Sequence, residues 1–158
     1  MKPKVYIETS VVSYFTAWPS RDVVMAAHQA LTSEWWRNGL PRYQPVISQF
    51  VIDEVQAGDL AAARLRLDAL AGIALITAPA EEVERVVMAL LARKALPANA
   101  RYDALHVALC ACAGVDFLVT WNYKHLANAS KLALVERVCR ECGYEPPRIA
   151  TPSELMEA

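Results

Sequence analysis

The stretch from Arg101 to Asn122, RYDALHVALCACAGVDFLVTWN, reads as helix, turn and strand, and it decides the fold. Asn99 is placed to cap the helix, small and apolar residues fill positions 104–113, and Gly114 supplies the stop. Phe117, Leu118 and Val119 then make a short apolar run suited to a buried strand. Asp103 is the exception in this unit. It stands in the first turn of an apolar helix, where the dipole favours its ionised form and its side chain can project into a crevice beyond the strand ends. Taken alone, it reads first as a residue that caps the helix or complements its dipole. Thr120, Trp121 and Asn122 leave the strand at the same edge and bring further polar groups there.

Of the 158 residues, 55% are hydrophobic and 21% charged, a balance that fits one globular domain spanning 1–158. No apolar run reaches the ~18 residues of a membrane span, because His106 and Asp116 interrupt the longest. Met1 to Lys4 leads straight into a strand with no hydrophobic leader, so a cytoplasmic protein with no membrane association is expected. A net charge of −1 gives no global basic field, which argues against a sequence-reading DNA binder. A nuclease whose metal grips one phosphate, relying on only a few local cations, remains open. Cys139 and Cys142 have the spacing of half a zinc site, but both they and the pair Cys110 and Cys112 lie in helical, apolar context and read as reduced, packed thiols.

Working outward, Lys4–Ile7 is a strand that ends on Glu8, Thr9 and Ser10, with the acid at the end where open α/β sheets bind ligands. Glu8 alone reads equally as a solvated strand-end carboxylate followed by a turn. Residues 22–37 give an imperfect helical stripe ended by Gly39 and Pro41, in which Trp35 and Trp36 cannot both face one core. Pro45, Val46 and Ile47 form a second strand, and Ser48 is a fitting N-cap for a helix over 49–57 closed by Gly58. Asp53 and Glu54 interrupt that helix, and Glu54, four residues after Phe50, is nearer its buried side. Helices over 59–70, 81–94 and 129–142 and strands over 73–76 and 117–120 complete the pattern. Alternating short strands and helices call for a parallel sheet covered on both faces, an α/β fold of three α/β/α layers. One crevice at its strand ends can hold Glu8, Glu54, Asp103 and Asn122.

Three carboxylates in a partly desolvated crevice repel one another unless a proton or a cation neutralises them. None of the three motifs contains Lys or Arg. A divalent ion held by Glu8, Glu54 and Asp103 is the economical solution, and oxygen ligands favour Mg²⁺ or Mn²⁺ over zinc. Phosphodiester hydrolysis is the natural chemistry, with Glu54 or Asp103 orienting the attacking water and Asn122 coordinating or hydrogen-bonding without adding charge. There is no Gly-rich phosphate loop and no nucleophile elbow, and His28, His106 and His125 lack metal-ligand spacing. His106 reads as a satisfied, half-buried histidine.

The motifs YIETSV at 6–11, ISQFVIDEV at 47–55, YDALHVA at 102–108 and FLVTWN at 117–122 resemble, in order and spacing, those of PIN-domain proteins, nearest the VapC-type toxins of toxin–antitoxin pairs. The resemblance spans residues 4 to about 128. It implies a metal-dependent endoribonuclease, often a homodimer, silenced by an antitoxin whose peptide fills the active-site groove. It places the family's acidic constellation on Glu8, Glu54, Asp103 and the position of Asn122. The first acid is usually Asp, so Glu8 carries an extra methylene, and the fourth acid is Asn here. Those two departures keep open a second expectation, a catalytically weak or silent PIN-like module that binds RNA or a protein. A third is an enzyme acting on small phosphate esters. Arg101 and Lys124 flank the crevice and are candidates for phosphate contact or plain surface charges.

Overall fold

A computed structural model describes residues 1–156. Five parallel strands form its sheet: β1 (Lys4–Ile7), β2 (Gln44–Ile47), β3 (Ala74–Leu75), β4 (Phe117–Val119) and β5 (Arg148–Ala150), in the order β3-β2-β1-β4-β5. Among the described residues the helices are α1 (Thr9–Thr16), α2 (Val23–Glu34), α3 (Gln49–Val55), α4 (Leu60–Leu70), α5 (Ala80–Ala92), α6 (Arg101–Cys112), α7 (Ala129–Glu141) and α8 (Pro152–Met156). A π turn (Trp35–Gly39) and a 3₁₀ turn (Leu40–Arg42) join α2 to β2.

The strand order explains the layers. From β1 the chain moves outward one way through β2 to β3, then returns past β1 to β4 and continues to β5. Right-handed crossovers therefore put α1–α4 on one face and α5–α7 on the other. Packing agrees: α1 touches α2, α3 and α4, while α5 packs against α6 and α7. Val5, Tyr6 and Ile7 of the central strand are completely buried, as expected of a strand covered on both sides. The expected three-layer α/β/α sandwich is the observed fold. No helix among the described residues is long and apolar enough to cross a membrane.

Reversal of direction between β1 and β4 makes their C-terminal ends a topological switch point, where a crevice opens between diverging connections. Register puts Ile7 beside Val119, and Glu8 N–H donates to Val119 O at 3.1 Å. Glu8 and Thr120 thus emerge side by side at the switch point.

Local differences from the sequence reading have physical causes. Thr9 and Ser10 open a helix instead of a turn, because the Glu8 carboxylate caps it and Val11 and Val12 bury its inner face. Asn99 does not cap α6. Ala100 occupies that position without a side-chain bond, and the preceding turn is closed by Ala100 N–H on Pro97 O at 2.9 Å. Trp35 is fully buried, and Trp36 instead stacks on Phe15 with ring centroids 4.3 Å apart. Gly39 allows this packing, since a Cβ there would lie 2.5 Å from the Trp35 ring. All four cysteines are free thiols, and Cys110 and Cys139 are fully buried.

Candidate active site

Glu8 is held where β1 ends. It is only 5% exposed, its Oε2 accepts Ser10 N–H at 3.1 Å, and its Oε1 accepts the hydroxyls of Ser10 and Thr120 at 2.5 Å each. Those hydroxyls are fixed in turn, Ser10 Oγ by Trp121 N–H and Thr120 Oγ1 by Asn122 N–H, both at 2.9 Å. The Trp121 indole anchors the segment after β4 by donating to Thr32 Oγ1 at 2.7 Å and stacking on His28.

Glu54 arrives from α3, on the face nearer the core, while Asp53 is exposed and pairs with Gln49. Its Oε1 accepts Thr9 Oγ1 at 2.8 Å and lies 2.6 Å from His106 Nε2. Burial opposes its ionisation, but hydrogen bonding and charge from His106 and the Thr9 hydroxyl outweigh burial and hold the carboxyl below its ordinary range. Behind it runs a buried relay: His106 Nδ1 lies 2.6 Å from Tyr6 Oη, which lies 2.6 Å from Ser48 Oγ. Burial pushes the Tyr6 hydroxyl well above its usual range, so it stays neutral. Ser48 stands at the N-cap of α3 as expected but spends its hydroxyl on Tyr6 instead of the helix.

Glu8, Glu54 and His106 offer ligand atoms within 4.8 Å of one another, the one such group of three among the described residues. Sequence reading expected Asp103 in that place. Asp103 is turned to a neighbouring group, its Oδ1 accepting Asn122 Nδ2 at 3.2 Å and its Oδ2 lying 2.7 Å from His125 Nδ1. His125 N–H on Asn122 Oδ1 at 3.0 Å fixes which way the amide faces. The two groups are joined, because Asn122 bonds both Asp103 and Thr120, and Thr120 bonds Glu8. Glu8, Asp103 and Asn122 therefore belong to one hydrogen-bonded network, and Glu54 adjoins it by its approach to Glu8.

The acids keep part of their acceptor capacity. A carboxylate oxygen accepts about two hydrogen bonds. The Oε1 atoms of Glu8 and Glu54 are saturated, and among the described residues Glu8 Oε2 accepts one bond and Glu54 Oε2 none. Each Asp103 oxygen accepts one bond and keeps one free direction. These remaining oxygens suit a hard divalent cation, which takes oxygen ligands and relieves the repulsion between the acids.

His106 was read from sequence as half-buried and merely satisfied; it is fully buried and joins the acidic group. Its position three residues after Asp103 on one helix was the available signal, since i and i+3 share a face. Thr9, Ser10, Thr120 and His125 were not singled out as site residues. Arg101 is engaged in an exposed pair with Glu84 at 2.7 Å, whereas Lys124 forms no ion pair among the described residues. Neither a protein-family model nor a curated protein matches this chain.

Proposed function

We propose that this protein is a metal-dependent endoribonuclease of the PIN-domain, VapC-like kind, using Mg²⁺ or Mn²⁺ held by Glu8, Glu54 and Asp103. The observation that carries the proposal is the approach of Glu8 and Glu54, which are 46 positions apart in the chain, at the sheet's switch point. Like charges are not gathered in a half-buried crevice without something to neutralise them. When bound, the ion supplies charge neutralisation and Lewis acidity toward a phosphodiester.

The chain's own residues do the positioning. Ser10 and Thr120 aim Glu8, and Thr9 and His106 aim Glu54 while keeping it ionised. Asn122 and His125 orient Asp103, which is left with acceptor capacity toward an attacking water. Asn122 commits both ends of its amide to this task, so its role is orientation. The toxin reading adds an antitoxin partner and a homodimer, supported by the exposed apolar side chains of Trp18, Val23, Val24 and Met25 where α2 begins.

A second reading, a silent binding module, is favoured by one observation: Glu8 already serves as the N-cap of α1 and accepts three hydrogen bonds. Incubation of purified protein with single-stranded RNA separates the two. Cleavage with Mn²⁺ that is lost on chelation and in Asp103→Asn supports the nuclease, while cleavage that survives either change overturns it. RNA binding without cleavage under any metal supports the module.

A further inference from the structure

A cavity of about 480 Å³ opens between the α5–α6 connection and the segment that follows Asn122. Three of the chain's five lysines line it, Lys94, Lys124 and Lys131, and no carboxylate does. All three are exposed, and none forms an ion pair among the described residues. By contrast Arg85, Arg93, Arg101 and Arg140 each sit against a carboxylate. Ammonium groups left together without counter-charges create a local positive potential that the protein's net charge of −1 does not suggest.

Lys94 adds an independent observation. Helices α5, α6 and α7 end in the same double-bonded cap: Ala95 N–H to Leu90 O with Lys94 N–H to Leu91 O, Val115 to Cys110 with Gly114 to Ala111, and Tyr144 to Cys139 with Gly143 to Arg140. The cap residue has φ of 68° at Gly114, 94° at Gly143 and 56° at Lys94. Lys94 is the one non-glycine residue with positive φ among those described. At the position where two sister helices use glycine, this one keeps a side chain against the backbone's preference, and that side chain is a cation on the cavity wall.

His125 ties the cavity to the acidic site. It lines the cavity, and its Nδ1 is 2.7 Å from Asp103 Oδ2. The two sites share a wall.

We propose that this cavity is a subsite for a backbone phosphate of single-stranded RNA adjoining the bond at the acidic site. Lys94, Lys124 and Lys131 hold the phosphate, and Leu91 and Pro97 pack against the neighbouring nucleoside. The inference rests on the nuclease reading for its choice of RNA, but it is testable without cleavage.

The experiment is binding of a short, labelled single-stranded oligoribonucleotide in the presence of EDTA, followed by anisotropy over a range of salt. Loss of the hold on one phosphate of a single strand, which contributes about 0.7 to the slope of log K against log salt, lowers that slope by about 0.7 in the triple Lys94→Ala, Lys124→Ala, Lys131→Ala variant. Affinity at about 0.1 M salt falls roughly fivefold, and the triple Lys→Arg variant restores it. Lys124→Glu, in an exposed turn, weakens binding in the same direction and serves if the triple variant does not fold. Unchanged affinity and slope in the alanine variant, or a wild type that does not bind, overturns the subsite. So does equal competition by polyglutamate, which marks an acidic protein segment as the occupant. Lysine-dependent RNA binding without metal-dependent cleavage keeps the subsite and removes the nuclease; cleavage with lysine-independent binding does the reverse.

Discussion

His106 Nε2 lies 2.6 Å from Glu54 Oε1, and the proton between them belongs to the imidazole. Glu54 is held ionised below its ordinary range, so its oxygen accepts. Tyr6 and Ser48 can turn their hydroxyls either way, donating to Nδ1 or accepting from it, and in both arrangements Nε2 carries hydrogen. A protonated nitrogen has no lone pair for a metal. Although His106 falls inside the 4.8 Å group, it is therefore a positioning residue for Glu54.

Replacing His106 tests that role. His106→Ala removes the donor and leaves the Tyr6 hydroxyl with Ser48 alone, lowering metal-dependent cleavage by roughly 10- to 100-fold, the usual cost of losing a partner that orients a ligand. His106→Gln, whose amide can still donate to Glu54, retains most of the activity and of the Mn²⁺ affinity. Equal losses in both variants, measured as kcat and as Mn²⁺ affinity, contradict a positioning role.

Tyr6→Phe should act on stability before it acts on chemistry. Deleting one hydroxyl deprives Ser48 Oγ and His106 Nδ1 of a buried partner. Each unsatisfied group costs about 1–3 kcal/mol. Urea denaturation is expected to show a lower midpoint with an unchanged slope.

Stability should also depend on the charge of Glu54. Its carboxyl is depressed in the folded protein, so its contribution is fully present above the ordinary carboxylate value of 4.5 and fades as pH falls through the lower folded value. Melting temperatures of the wild type and Glu54→Gln are therefore expected to draw together below pH 4.5 relative to neutral pH. A gap independent of pH contradicts the assignment.

Lys94→Gly separates backbone preference from function. Glycine relieves the left-handed conformation at φ 56°. Set against its greater freedom in the unfolded chain, the net gain is about 0.5 kcal/mol. RNA binding should weaken in the same variant. Thermal melting and anisotropy thus move in opposite senses, a combination that a purely structural lysine does not produce.

The sheet and most of its helices were legible because their signals are local. Lys4–Ile7 and Phe117–Val119 are short strand-like runs and Gly114 is a stop. What escaped depends on partners remote in the chain. Ser48 has the look of a helix cap, yet Tyr6, 42 positions away, claims its hydroxyl. Periodicity put Glu54 on the buried side of α3, but only the fold could bring it to His106. Asp103 was expected to share one crevice with Glu8, Glu54 and Asn122; its oxygens are taken by Asn122 and by His125, a partner that only the turn after β4 brings against α6.

The most direct test is calorimetric titration of Mn²⁺ into the wild type, Glu8→Gln and Glu54→Gln, with folding of each verified by circular dichroism. If acids from the ends of β1 and α3 share one ion, the wild type shows saturable binding at a single site and both variants lose it. A wild type that gives no heat beyond dilution, or variants that bind as it does, contradicts a shared metal at these two residues.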